Sequence, residues 1–382
     1  MIIGERKTEY PNNKLKLIHC ADLHLDSAMD THLSKEKAKE RKLEILETFS
    51  SMVSYAHKND IDHILIAGDM FDKKAVSATA RNFVYAQIKD HPEINFYYLK
   101  GNHDVDGFLN KLDEIPENLF LFGENWKTYN IATGSRNVML SAVELTSLNA
   151  PFIYNGLFLD PKDFNIVMLH GQDANYKSKD KAEIIALNEL KNKSIDYLAL
   201  GHIHTYKLEQ LDARGKYCYP GCLEGRGFDE CGKHGFVVLD INLETGEYEN
   251  ELVLCSKRNT YELPVDISNL ESSAEIIKKV DEAFLNQEVT ENDLIKIVLE
   301  GEVNLDSEID TDFVVKHFEP DFYFVKCSNK TKIHVDYNSF VNDKSLKGEF
   351  VRSVMADTNL SEEEKAKVIL YGIRALGGEV ID

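Results

Sequence analysis

The chain has 382 residues, of which 43% are hydrophobic and 29% charged, and a formal net charge of −21. That composition is ordinary for a globular protein, and no run of 18 or more apolar residues is present to span a membrane. The acidic charge argues against a broad basic face for nucleic acid: either none is bound, or binding relies on bound cations, a local patch or a basic partner.

The length exceeds what one core usually serves, which predicts two domains or a domain with a cap. The opening MIIGERKTEYPNNK is polar and lacks the apolar core of a signal peptide. Six cysteines, at 20, 218, 222, 231, 255 and 327, include no CxxC pair. They read as reduced thiols and hence as a cytoplasmic protein. Three of them, Cys218, Cys222 and Cys231, are too few and too irregularly spaced for a metal clip.

In chain order, the first apolar run is LKLIHCAD at 15–22. A helical pattern follows, with Ile45, Leu46, Phe49, Met52, Val53 and Ala56 at spacings of three and four. Upstream of it, Lys35, Lys37, Lys39, Arg41 and Lys42 alternate with Glu36, Glu40, Glu44 and Glu47. These lysines could touch phosphates, but the interleaved acids favour a solvated helix face. Next come DHILIAGD at 62–69, a helix over 77–90, NFYYLKGN at 95–102, NIVMLHG at 165–171 and DYLALGH at 196–202. Each apolar run is short and nearly continuous, as expected of strands buried on both faces. Strand alternating with helix predicts an α/β architecture of layered sheet flanked by helices.

A strand-rich stretch over 216–254 reads as a hairpin turning near Glu244-Thr245-Gly246. Beyond about residue 258 the order strand, helix, strand, helix, strand predicts a compact second unit, followed by two helices. The last helix opens on Ser361 with Glu364 three residues on, a capping-box pattern, and Gly377 is a natural stop. Its stripe Ile369, Leu370, Ile373 and Leu376 either packs on its own domain or docks a partner. The predicted boundaries are 1–258, 259–337 and 338–382.

Chemistry gathers where the five runs end: Asp22-Leu23-His24; Gly68-Asp69 followed by Asp72; Gly101-Asn102-His103-Asp104; His170-Gly171; and Gly201-His202-Ile203-His204. Ligands of α/β sheets collect at the carboxyl ends of strands. Five separate segments therefore bring carboxylate, amide and imidazole groups to one edge. Such a mixture suits borderline divalent ions better than calcium. In extended chain, His202 and His204 would point the same way, and the glycines at 68, 101, 171 and 201 would let the backbone turn beside the ions.

These five blocks, D-x-H, G-D-x-x-D, G-N-H-D, a lone H and G-H-x-H, resemble the calcineurin-like metallophosphoesterase superfamily. The resemblance implies a layered β-sandwich flanked by helices, and two divalent ions, manganese first, with iron, zinc or magnesium as alternatives. Asp22, His24 and His204 would hold one ion, Asn102, His170 and His202 the other, and Asp69 would bridge them. His103 would act as general acid or charge stabiliser at the departing oxygen, with Asp104 orienting it. Asp72 would hold a ligand in place, or be an ordinary loop carboxylate.

HCADLHLDS, AGDMFDKK and YPGCLEGRGFDE at 219–230 are similar to SbcD-like DNA repair exonucleases, nuclease subunits that work with an SMC-type ATPase. That likeness implies a small α+β capping domain, helices that dock on the ATPase, 3′-to-5′ exonuclease activity on DNA, and a homodimer. It places Arg226 near the metals as a phosphate contact, against the alternative of an exposed arginine in a Gly-rich turn. Cys222 stands where relatives carry serine. The competing readings are a small-molecule phosphodiesterase or nucleotidase on the same ions, and a non-catalytic scaffold on the same fold.

Overall fold

The computed structural model describes residues 10, 13–29, 33–72, 76–104, 108–112, 114–173, 184–304, 307–334 and 340–376. The chain divides into two compact units, 1–259 and 260–382. Among the described residues no helix is long and apolar enough to cross a membrane.

In the first unit the apolar runs become strands within one to three residues of the expected ends. In chain order the elements are β1 (Lys14–Cys20), α1 (Lys35–Lys58), β2 (His63–Ala67), α2 (Ala78–Asp90), β3 (Asn95–Leu99), β4 (Leu119–Leu121), β5 (Lys127–Ala132), β6 (Val138–Ala142) and β7 (Phe164–His170). A short ladder, β8 (Gln172–Asp173) with β9 (Ile184–Ile185), precedes α3 (Leu187–Leu190) and β10 (Tyr197–Gly201). Then come β11 (Lys207–Gln210), β12 (Lys216–Tyr219), β13 (Gly235–Asn242) and β14 (Tyr248–Leu254).

Two six-stranded sheets result, ordered β14-β13-β1-β2-β3-β4 and β11-β12-β10-β7-β6-β5. The continuous apolar runs are explained by burial on both faces. Leu17, Leu65 and Leu99 of the first sheet meet Leu140, Ile166 and Met168 of the second in the core between sheets. The alternate residues Ile18, Ile64 and Ile66 face outward and pack on Phe49, Met52 and Val53 of α1 and on Val84 and Ile88 of α2. On the far face of the second sheet, Val167, Leu169, Leu198 and Leu200 pack with Ile153 and Tyr154. This is the α/β sandwich flanked by helices that the sequence predicts. Within each sheet the central strands run parallel, and the register sets Ala67 beside Leu99 and His170 beside Gly201. Their carboxyl ends therefore come level. The hairpin is β13–β14, closed at Gly246 (φ 75°), whose N–H donates to Asn242 O at 2.8 Å.

In the second unit, β15 (Thr260–Asp266), α4 (Ser273–Phe284), β16 (Leu294–Glu300), β17 (Glu302–Asn304), α5 (Thr311–Phe318), β18 (Phe324–Asn329) and β19 (Lys332–His334) form a parallel three-stranded sheet, β15-β16-β18, with a β17-β19 pair. Two helices follow, α6 (Leu346–Ala356) and α7 (Glu362–Leu376). The box at α7 forms: Glu364 Oε2 accepts from the Ser361 amide at 2.8 Å, and Ser361 Oγ from the Glu364 amide. Ile369 packs with Val351 and Val354 of α6, so this part of the stripe is core within its own unit, whereas Leu376 is 47% exposed. Gly377 lies outside the described residues.

One expectation fails on α1. Arg41 is not on a solvated face but fully buried. Its guanidinium donates to Glu44 Oε2 at 2.6 Å, Glu224 Oε1 at 2.9 Å and Gly225 O at 2.7 Å. Glu224 also accepts from Thr48 and from the amides of Lys257 and Arg258, and Arg258 closes on Glu44. The alternating charges concealed this because the partner lies 183 residues away. The network ties α1 to the loop that carries Arg226. Removing the cation leaves buried Glu224 with neutral donors alone, so Arg41→Ala should cost about 3–5 kcal/mol in urea unfolding. A loss below about 1 kcal/mol would place the pair in the surface class.

Candidate metal centre

The functional side chains sit at or just past the level ends of β1, β2, β3, β7 and β10, and the backbone there is strained in a repeated way. Asp22 (φ 53°), His24 (φ 44°), Asp69 (φ 52°) and His202 (φ 102°) all lie in the left-handed region, where a non-glycine residue costs about 1–3 kcal/mol. Main-chain pairing offsets this: Asp22 N donates to Gly68 O, His24 N to Asp69 O and Leu25 N to Met70 O at 2.9–3.1 Å. The expectation of an extended His202-Ile203-His204 is corrected here. The kink at His202 splits the two rings, one against His170 and the other against His24.

Two glycines allow the close approach. Gly68 has φ 93°, and a Cβ there would strike the His170 ring. At Gly201 a Cβ would strike the Ala67 carbonyl and come 2.8 Å from His170 Nδ1. Gly201 thus serves proximity of the two sheets rather than a left-handed turn.

Asp22, His24, Asp69 and His170 are buried. His202 and His204 are half-buried, and Asn102 and His103 are exposed, so the site opens to solvent on one side. Asp22 accepts the His202 amide on both oxygens, at 2.9 and 3.0 Å. Asp69 Oδ1 accepts the His103 amide at 2.9 Å, while Oδ2 lies 3.3 Å from His170 Nε2 and 3.9 Å from His24 Nε2. Ligand atoms of Asp22, His24 and His204 lie within 4.8 Å of one another, as do those of Asp22, Asp69 and His170.

Hydrogen-bond logic tests whether the donor set suits cations. His170 Nδ1 lies 2.9 Å from Ala67 O, which can only accept, so Nδ1 carries a proton and Nε2 is the atom left for an ion or, without one, for a second proton. Nε2 faces Asn102 Oδ1 at 2.9 Å and Asp69 Oδ2 at 3.3 Å, two acceptors. The second half repeats the pattern. His204 Nδ1 lies 2.6 Å from Glu230 Oε1 and His24 Nδ1 lies 3.4 Å from Asp72 Oδ1. Glu230 fixes the His204 tautomer, and the Nε2 atoms of His24 and His204 meet at 3.1 Å. Nitrogens that converge this closely need a proton or a cation between them, so these residues fit divalent ions.

The proton equilibria report the same frustration. Burial pushes Asp22 up to about 6, despite His170 and His204. Asp69 is also buried, yet His170 beside it holds its carboxyl well below the usual range. Burial opposes charge on His170, but Asp69 raises it to about 9. His202 is brought down to about 4 by burial and the neighbouring His170.

Asp72 holds two rings and a hydroxyl. Its Oδ1 lies 3.2 Å from His103 Nδ1 and 3.4 Å from His24 Nδ1, and Oδ2 accepts from Ser27 at 2.9 Å. The bonds from His103 and His24 hold its carboxyl far below the ordinary value, and reciprocally Asp72 raises His103. Asp104, expected to orient His103, instead accepts the amides of Met70, Phe71 and Gly101 at 2.9–3.2 Å. It staples the β2 and β3 loops together, and burial raises it to about 6.

Arg226 lies at the site. Its guanidinium donates to Glu230 and sits 3.5 Å from Asp72 Oδ2, so it is largely buried and paired rather than exposed in a turn. Glu230, which sequence reasoning did not single out, joins Arg226 to His204. Its only signal was its place in the segment 219–230. None of the six cysteines is disulfide-bonded, and Cys222 Sγ lies 3.3 Å from His234 Nδ1 behind the site.

The sequence profile of the calcineurin-like phosphoesterase family matches residues 15–206, which contain Asp22, His24, Asp69, Asn102, His103, His170, His202 and His204. The chain belongs to this family. It is a phosphoesterase by membership, and divalent-metal chemistry belongs to that family. Among relatives, the uncharacterized metallophosphoesterase YhaO of Bacillus subtilis is 27% identical over 291 residues, covering 71% of this chain and 67% of YhaO. The DNA double-strand break repair protein Mre11 of Saccharolobus solfataricus is 24% identical over 401 residues, 96% of each chain. Mre11 of Sulfolobus acidocaldarius is 24% identical over 396 residues, covering 93% of this phosphoesterase and 98% of that protein.

In chelator, His170 should report its own charge. Its folded-state value is raised above 6.5, so the stability it contributes is present at pH 6 and is lost as pH rises through about 9. The difference in unfolding temperature between wild type and His170→Gln should therefore shrink between pH 7 and pH 10.

Proposed function

We propose that this phosphoesterase is a two-metal phosphodiesterase that hydrolyses DNA. The observation that carries the metal assignment is the convergence of His170, His204 and His24 nitrogens on one another and on Asp69 and Asn102. Asp22, His24 and His204 would hold one ion, Asn102, His170 and His202 the other, with Asp69 Oδ2 between the two groups. Bound there, divalent ions, manganese first, supply Lewis-acid polarisation of the phosphoryl group and a water acidic enough to attack near neutral pH.

The chain supplies the remaining chemistry. His103 is exposed, and Asp72 at 3.2 Å keeps it protonated to a higher pH than a free imidazole. In this reading it protonates or stabilises the departing oxygen. Glu230 holds His204 in the ligating tautomer, and Asp72 stands 3.4 Å from His24 Nδ1. Arg226, already paired, contributes positive charge beside Asp72 rather than a free fork for phosphate.

DNA as substrate is supported by relatives whose names carry DNA double-strand break repair and that align over nearly the whole of both chains. With a net charge of −21, this chain needs ions at its site and a basic partner to hold a duplex, a role suited to an SMC-type ATPase.

End-labelled DNA, bis(p-nitrophenyl) phosphate and cyclic nucleotides, each with Mn²⁺, test the reading. Wild type should degrade the DNA and Asp69→Asn should not. Cleavage of the small diesters alone would leave the metal chemistry and remove the DNA assignment. His103→Ala should keep its metal and lose about 10²–10⁴-fold in turnover. Loss of metal in that variant would contradict its role.

A further inference from the structure

The helices of the first unit end at the edge of the sheet opposite the candidate metal centre, and a second cluster of ligating groups lies there. His57 closes the last turn of α1, His91 caps the end of α2, and Glu93 stands two residues before β3. Glu93 Oε1 lies 2.8 Å from His57 Nδ1 and 3.1 Å from His91 Nδ1, and the two rings are 5.6 Å apart. Their ligand atoms all fall within 4.8 Å of one another. We propose that His57, His91 and Glu93 form a peripheral site for a borderline divalent cation of the zinc class, linking the ends of α1 and α2.

Three arguments carry this. Two imidazoles and one carboxylate are a recognised three-ligand set for zinc, leaving positions for water or an exogenous ligand. Here the open side is provided by exposure: the His57 side chain is 60% exposed and that of Glu93 46%. Next, the segment bearing two of the ligands is fixed in advance. The buried Asn118 amide donates to Ile88 O, His91 O and Ile94 O at 2.8–3.0 Å, and Ile94 N returns to His91 O. Binding would therefore order little besides side-chain rotamers. Finally, both imidazoles sit at helix carboxyl ends, where the backbone carbonyls favour positive charge.

In the metal-free form each Nδ1–H can donate to Glu93 Oε1. The ion takes the place of those two protons at Nδ1, and each neutral ring then carries its proton on Nε2, the other tautomer. The site is separate from the residues proposed for catalysis, and its failure would leave that proposal standing.

The test uses the full chain and zinc alone. Wild type and His57→Ala/His91→Ala are stripped with chelator, dialysed against micromolar zinc, and compared by elemental analysis and thermal unfolding. The double variant should retain one zinc fewer per chain, and its zinc-induced rise in unfolding temperature should be smaller. Its metal-free unfolding temperature should match wild type, since these side chains lie outside the cores. Equal zinc content and an equal rise would overturn the site and leave two ordinary histidine–carboxylate hydrogen bonds. Should the double variant unfold without metal, Glu93→Gln preserves the shape. It should weaken the same zinc equivalent by at least about tenfold, and undiminished binding there would also overturn the proposal.

Discussion

Asp69 is the point on which the site depends. It follows β2 at the centre of the first sheet, and its left-handed backbone turns the carboxylate back over the strand ends. One oxygen fixes the His103 amide, while the other lies between His170, from the second sheet, and His24, from the end of β1. That placement is possible only because two sheets pack face to face with their parallel strands ending level. Gly68 and Gly201 remove the side chains that would hold them apart. The hydrophobic core between the sheets therefore sets an electrostatic geometry: burial of Leu17, Leu65, Ile166 and Met168 presses carboxylates and imidazoles together. Charged groups crowded this way are costly unless cations lie among them.

A second layer keeps the ligands pointed. Carbonyl and carboxylate acceptors (Ala67 O, Glu230, Asp72) take the outer nitrogens of His170, His204 and His24. Glu230 belongs to the loop fixed by Arg226, and that loop is anchored to α1 through Glu224 and Arg41. Two sets of polar contacts, one joining α1 to Glu224 and Gly225 and the other joining Arg226 and Glu230 to the ring of His204, are thus linked through the main chain at 225–226. Their members come from residues 41–48, 204, 224–230 and 257–258, which explains why a long, irregular loop can hold a ligand firmly.

Much of this was legible in the sequence because its signals were local. Strands buried on both faces write themselves as continuous apolar runs, so β1, β2, β3, β7 and β10 and the residues after them could be located. The helical stripe of α1 and the box at Ser361 are equally local. What escaped depended on distant partners or on backbone twist. Arg41 looked solvated because Glu224 is far away in sequence. Asp104 looked like the partner of its neighbour His103, but the loop turns it onto main-chain amides, and Asp72 takes that place. His202 and His204 looked like an extended alternation, but a φ of 102° separates them. Of the edge strands, β4 is only three residues long, and β5 and β11 mix polar with apolar residues, so they left no clear period.

The central claim is that seven side chains from five strand ends hold two ions. Anomalous diffraction from a crystal grown or soaked with Mn²⁺ tests it most directly. The account predicts two peaks, one touching Asp22, His24 and His204, the other Asn102, His170 and His202, with an Asp69 oxygen shared between them. A single peak, or peaks that leave Asp69 or His170 without a metal contact, would contradict it.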